Sequence, residues 1–279
     1  SRQKHLDAAL QEPMTGQSSL RQSLVEGAML RAARWSLDDR NASESLLWLD
    51  RLPQGVSRRT LTMRLRLKAA RLAGEPSQAL DTALLLIKHR AFKAEAAESM
   101  VRSLVFELIA NTHELGQMQR LWARLGEAQR QSTDLAIQAA QHWLHLKGDA
   151  VVARAWLKPI WDKLQQEPHK LSKAQQSKLV HTFDVSFSGQ DSTEERDWLI
   201  WIEAAQKANP RDPLLQFLAG RLCQKRQLWG KAQVLLAQAA VSLEDIQLRR
   251  QAWRSLADLA EQREDLSAAL QALKKAAME

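Results

Sequence analysis

Along most of this chain apolar residues recur at intervals of three and four, with polar residues between them. Trp253, Leu256, Ala257 and Ala260 stand at i, i+3, i+4 and i+7, the spacing that lines one face of a helix. The same period predicts helices over 17–36, 43–52, 57–73, 76–89, 93–111, 115–126, 131–147, 150–166, 172–186, 192–208, 213–226, 229–242, 247–262 and 265–278. Between them fall short breaks rich in Gly, Pro, Asn and Asp, such as Leu52-Pro53-Gln54-Gly55, Ala73-Gly74-Glu75-Pro76, Gly148-Asp149, Ser188-Gly189-Gln190 and Asn209-Pro210-Arg211-Asp212-Pro213. Runs of β-branched residues of the kind that build strands are missing. Residues 1–16 are polar, interrupted by Pro13 and Gly16, and predict a frayed lead-in to a single domain over 17–279.

Helices of this length joined by short loops predict sequential antiparallel hairpins. Aligning the turns exposes a repeat. Gly74, Gly148, Gln227 and Glu264 sit in turns, and Ala79, Ala153, Ala232 and Ala269 follow each at five residues. In the last hairpin Ala269, Leu273 and Ala276 continue the pattern of small and large positions. In the one before, Gly220, Cys223, Ala232, Leu236 and Ala239 do so. Small residues at these places let two helices approach closely. The pattern resembles a tetratricopeptide (TPR) repeat, which implies an all-α solenoid, a superhelix of antiparallel helix pairs.

Composition narrows the function classes. Forty Lys+Arg against 32 Asp+Glu give a net charge of +8, with acids interleaved among the bases. Such a modest excess argues against nucleic acid as the partner. One cysteine, Cys223, excludes an intrachain disulfide or a CxxC metal site, and its place at a packing position predicts a buried thiol. No run of 18 apolar residues spans a membrane. No nucleophile–base–acid set and no GxGxxG loop stands out, so the chain reads as a non-enzyme. Glu194-Glu195 reads as a charge pair at a helix N-terminus. Trp198 and Trp201, three apart, read as packing residues.

Residues 51–71 hold Arg51, Arg58, Arg59, Arg64, Arg66, Lys68 and Arg71 and no acid. With Gly74 as the turn, Arg64, Lys68 and Arg71 fall at i, i+4 and i+7, on the face that in a TPR hairpin lines the concave groove. The same register puts Gln138, His142 and His145 on the groove side of the 131–147 helix, and Phe217, Arg221 and Gln224 on that of the 213–226 helix. These nine residues are the candidate partner-binding groove. The basic set suits carboxylate-bearing peptides, acidic proteins or porphyrin propionates. His142 and His145 lack a third ligand for a metal site.

The segment "WIEAAQKANPRDPLLQFLAGRLCQKRQLWGKAQVLLAQAA" (201–240) resembles the C-terminal signature of the proteobacterial HemY family of haem-biosynthesis-associated TPR proteins. Pro210, Pro213, Gly220, Arg221, Leu222, Leu228, Trp229, Gly230, Lys231 and Ala232 carry the likeness, and "ARAWLKPIWDKL" (153–164) is similar to the family's middle region. In place of the family's usual Leu before Gly-Arg-Leu stands Ala219. The resemblance implies a bacterial inner-membrane protein whose N-terminal anchor precedes Ser1, with the solenoid on the cytoplasmic side. It implies a role in a late step of protohaem formation, with late haem-biosynthesis enzymes as partners and no cofactor of its own. Direct haem or porphyrin binding is one alternative, and a generic peptide-binding TPR module is another. A flavin-dependent protoporphyrinogen oxidase shares the family's name, but its dinucleotide loop is missing here.

Overall fold

The computed structural model describes residues 18–91, 94–190 and 192–279, with side chains from Arg21 onward apart from Ala94. The lead-in expected over 1–16 lies outside the described residues. Among these, sixteen α-helices and one 3₁₀ turn account for the regular structure, with no strand. The all-α expectation therefore holds, as does its antiparallel pairing of consecutive helices.

Contacts group the described residues into two compact units, the first ending at Asn111 and the second running from Thr112 to Glu279. The division falls in the non-helical link that runs from Asn111 to Glu114. In the first unit lie α1 (Ser18–Asp38), α2 (Ala42–Asp50), the single turn α3 (Gln54–Ser57), α4 (Thr60–Leu72), α5 (Pro76–Lys88) and α6 (Ala94–Ala110). α1 pairs with α2, α4 with α5, and α5 with α6. Ala33, Leu37, Leu49, Leu52, Val56 and Ala69 form a core cluster there, with Trp48 and Leu65 packed against it. Leu52-Pro53-Gln54-Gly55, expected as a break, contains the start of α3, whose Val56 is buried.

The second unit holds α7 (Leu115–Arg124), α8 (Glu127–Arg130), α9 (Thr133–His145), α10 (Ala150–Gln166), α11 (Lys173–Ser186), α12 (Thr193–Ala208), α13 (Pro213–Lys225), α14 (Trp229–Ser242), α15 (Ile246–Glu261) and α16 (Leu266–Met278). Here α9, α11, α13 and α15 also contact one another in series, so the first helices of successive hairpins form an inner row. Helix starts are set by capping side chains: Asp149, Ser172, Ser192, Asp212, Asp245 and Asp265 each accept a backbone N–H that the first turn leaves without a partner.

The repeat shows itself most clearly in the turns. Arg40, Gly74, Lys147, Gln227 and Glu264 are left-handed, with φ of 60°, 71°, 63°, 61° and 61°. In each case the next residue donates its N–H back five residues: Asn41 to Ser36 (2.7 Å), Glu75 to Ala70 (2.9 Å), Gly148 to Trp143 (2.9 Å), Leu228 to Cys223 (2.8 Å) and Asp265 to Ala260 (3.0 Å). This is the Schellman closure of a helix C-terminus. Two details differ from the sequence alignment. Lys147, not Gly148, is the left-handed residue, so this hairpin carries one more residue before Ala153. The Arg40 turn is a further repeat, with fully buried Ser45 at the small position five residues on.

Ala79, Ala153, Ala232 and Ala269 are all buried, as the repeat requires. At Gly220 a Cβ would lie 2.8 Å from Leu236 Cγ, so the close approach of α13 to α14 demands glycine. The tryptophans divide into packed and exposed. Trp156 stacks on Trp122 at a centroid distance of 4.7 Å and meets Trp143 at a tilt at 5.2 Å, and Trp161, Phe183 and Trp198 form a second cluster. Trp201 is exposed, edge-on to Trp198 at 5.1 Å, with Lys158 Nζ 4.9 Å above its ring.

Candidate functional site

The nine residues expected in one groove fall in three places. Arg64, Lys68 and Arg71 lie together in the first unit, exposed along one face of α4. They line an open cleft of about 590 Å³ whose floor is Leu67, Leu72 and Met100, the last contributed by α6. Arg64 also donates from Nη2 to the carbonyl of Ala91, at 2.5 Å, so part of its donor capacity ties α4 to the turn after α5.

A second cleft of about 460 Å³ lies between α4 and α1 and shares Lys68 with the first. It is lined by Leu30, Leu37, Leu61 and Leu65 below and by Arg31, Arg34 and Lys68 above, with Asp38 beside them. The residues around the two clefts thus include five bases and one acid. The acid and two of the bases, Arg31 and Arg34, come from α1, and sequence reasoning missed them. Their signal was present, because Arg31, Arg34 and Asp38 at i, i+3 and i+7 share a face, but no turn in 1–56 had been placed in the repeat.

The dense basic run divides by face. Arg66 points away from the clefts, donating from Nη1 to Asp50 Oδ1 (2.5 Å) and from Nη2 to the Leu49 carbonyl (2.9 Å). It fastens α4 to α2. The Arg51 guanidinium lies 4.9 Å over the Trp48 ring.

In the second unit, Gln138 is exposed on α9. His142 is half-buried, with Nε2 2.8 Å from the Thr112 carbonyl, so that nitrogen is engaged within the fold. His145 is exposed and lines a cleft of about 380 Å³ between α9 and α11 with Gln141, Lys147, His181, Thr182 and apolar residues. His181 is the histidine that sequence spacing did not pair with it, because it belongs to the next hairpin. Among the described residues no group of three or more His, Cys, Asp or Glu is placed to hold a metal ion.

Phe217, Arg221 and Gln224 correct the register used for α13. The Phe217 ring is fully buried, because α13 is enclosed on nearly all sides by α11, α12, α14 and α15 and is apolar around most of its circumference. Arg221 and Gln224 face the inner row but are held there by neighbouring hairpins. Arg221 donates from Nε to Asp184 Oδ1 (3.0 Å) and from Nη1 to Ser255 Oγ (2.8 Å) and Gln224 Oε1 (2.9 Å). Gln224 Nε2 donates to the Ser255 carbonyl. Asp184 is buried and also accepts from Gln251 Nε2 at 2.6 Å. Lys225 donates to the carbonyls of Asp184 and Phe187. Burial pushes the Lys225 ammonium below its ordinary pKa, partly opposed by the Asp184 carboxylate. This network stitches α11, α13 and α15 together, and it leaves little donor capacity for a partner.

A parallel arrangement holds the α10–α12 side. The buried guanidinium of Arg154 makes a fork with Glu194, at 2.8 and 2.6 Å, and donates to the Ser186 carbonyl. Buried Glu195 accepts from Ser188 N, Ser188 Oγ and Gly189 N at 2.9–3.0 Å. Glu195 therefore anchors the loop at Ser188 and Gly189, while Glu194 holds Arg154 at the start of α12.

No family model matches this sequence, and no curated protein matches it. Among solved structures, the crystal structure of the TPR domain of P58(IPK) is similar over 94% of this chain and 77% of its own, with 15% identity and a TM-score of 0.31. Nothing about partners or chemistry follows from a likeness that weak.

Proposed function

We propose that this chain is the interaction domain of a membrane-anchored, non-catalytic scaffold acting in a late step of protohaem formation. It binds acidic segments of pathway enzymes on the α4 face of the first unit. One observation carries the binding reading. Arg64, Lys68 and Arg71 project along one exposed helix face, above a leucine- and methionine-lined cleft. Cations over an apolar floor complement an acidic amphipathic segment in both charge and surface. The haem-pathway part is supported by the resemblance of residues 201–240 to the HemY signature. No described helix is long and apolar enough to cross a membrane.

Crosslinking and affinity capture with the intact protein in bacterial cells test it. Late haem-biosynthesis enzymes are expected among the captured proteins, and Arg64→Glu/Lys68→Glu/Arg71→Glu is expected to lose them. A partner set unchanged by that charge reversal, or devoid of haem-pathway enzymes, overturns the proposal. Haem titration separates the porphyrin alternative. That reading would run through His145, and a Soret shift abolished by His145→Ala would favour it over the scaffold.

A further inference from the structure

We infer that the open face of α16 is a weak self-association surface, on which α16 of a second copy of this chain lies antiparallel about a two-fold axis.

The repeat shows what this face lacks. Ala79, Ala153, Ala232 and Ala269 hold the same place in α5, α10, α14 and α16. Four residues on from each stand Ala83, Leu157, Leu236 and Leu273. The first three are fully buried, whereas Leu273 is 44% exposed. One turn further, Trp161 and Ala240 are buried in α10 and α14, and Ala277 is exposed in α16. The neighbours account for the difference. α14 packs against both α13 and α15, whereas among the described helices α16 packs extensively against α15 alone. The uncovered arc is apolar. Leu266 and Leu270 on it are 75% and 54% exposed. Leu266, Leu270, Leu273 and Ala277 fall at i, i+4, i+7 and i+11, the seam spacing of a two-helix coiled coil.

Two features select a second copy, run in the opposite direction. The 4-3-4 spacing is palindromic about the midpoint between Gln271 and Ala272. A two-fold axis there sets Leu270 against the partner's Leu273, and Leu266 against the partner's Ala277. A large side chain thus meets a small one at each end of the seam. The charges agree. Glu264 and Asp265 stand at the start of α16, and Lys274 and Lys275 stand near its end. Glu279, the acid at the basic end, is held by Arg249. Antiparallel pairing turns each basic end toward the partner's acidic end and opposes the two helix dipoles, whereas parallel pairing puts like ends together.

The seam is short. Thirteen residues at 1.5 Å each make α16 about 20 Å long. One such helix pair buries less than the roughly 1,200–2,000 Å² of a stable interface, so the dimer is expected only at roughly 50–500 μM.

Sedimentation equilibrium of the full chain, over a range of concentrations reaching about 1 mM, tests this. The average mass is expected to rise toward that of a dimer at the top of the range. Leu270→Glu/Leu273→Glu is expected to stay monomeric, with helix content unchanged by circular dichroism because both side chains are exposed. Disulfide formation reads the orientation. In a mixture of Leu270→Cys and Leu273→Cys chains, the unlike pair is expected to crosslink at least about 3-fold more than either like pair. Buried Cys223 does not compete. A monomer throughout the range overturns the proposal, as does a dimer that survives the double glutamate variant. An excess of like-pair crosslinks overturns the antiparallel two-fold, and the proposal with it.

Discussion

Asp184 of α11 and Arg221 of α13 meet at 3.0 Å, thirty-seven residues apart in sequence, at the centre of a polar network that joins three successive hairpins. Asp184 is 2% exposed, and its carboxylate is the only negative charge recorded in contact with both Arg221 and Lys225 among the described residues. Solenoid repeats otherwise touch through apolar faces that tolerate sliding. A buried charge contact has one satisfactory geometry, so it fixes the register of one hairpin on the next.

Removing that carboxylate is therefore expensive. Asp184→Ala is expected to destabilise the second unit by about 3 kcal/mol, because two cations lose their counter-charge in a partly desolvated place. Lys225→Met in the same background is expected to recover part of the loss, since the lowered pKa of Lys225 shows that its charge is already disfavoured by burial. Urea unfolding of the two single variants and the double variant gives the coupling energy, and strict additivity would show that the contact is incidental.

The two glycines of the Gly-Arg-Leu and Leu-Trp-Gly-Lys-Ala segments differ in what they do. A Cβ at Gly220 would meet Leu236 Cγ at 2.8 Å and Leu235 Cβ at 3.2 Å, whereas one at Gly230 meets nothing within 4 Å. Gly220→Ala is expected to cost about 1–3 kcal/mol through forced separation of α13 and α14. Gly230→Ala is expected to be neutral or to stabilise by about 0.5 kcal/mol, as alanine favours the helix. Thermal denaturation of the pair checks this directly.

Turn chemistry gives an opposite-signed pair. Gly74→Ala places a side chain at φ +71° and is expected to cost about 1 kcal/mol. Gln227 already occupies φ +61°, so Gln227→Gly relieves strain and is expected to stabilise by about 0.5 kcal/mol after the added entropy of the unfolded chain is offset. Chemical denaturation midpoints that moved in the same direction for both variants would contradict the left-handed assignment.

Cys223 is fully buried against α14, 3.8 Å from Glu203 Oε1, and burial raises its thiol pKa to about 11 from 9.0. The unfolded thiol ionises first, so its contribution to stability is complete below pH 9 and is lost as pH rises from 9 to 11. Unfolding free energy is expected to fall more steeply across that window for the native sequence than for Cys223→Ala. At pH 8 a thiol-specific disulfide reagent is expected to react with the urea-unfolded protein and not with the folded one.

Much of the architecture was legible in the chain. Helix boundaries in the final hairpins were placed to within a residue or two, because their apolar period is regular and Asp212, Asp245 and Asp265 mark the starts. The one-turn helices α3 and α8 were missed because four residues carry no measurable period. The basic face of α4 was legible because Arg64, Lys68 and Arg71 obey helical spacing beside a recognisable turn. The inner face of α13 was not, because spacing alone does not tell a residue that looks into open space from one that meets the next hairpin. Phe217, Arg221 and Gln224 share a register with groove residues yet are enclosed by α11 and α15.

The sequence by itself determined the secondary structure, the hairpin repeat, the place of the small residues and the net positive charge, because each follows from local spacing and intrinsic backbone preference. The tertiary structure decided which charges are spent on the fold. Arg66, Arg154, Arg221 and Lys225 are held by acids or carbonyls from other helices, some of them tens of residues away, whereas Lys68 and Arg71 line an open cleft. Only the stacking of hairpins brings Asp184 to Arg221, or makes the two leucine-lined clefts meet at Lys68, since those distances depend on packing between elements and not on spacing within one.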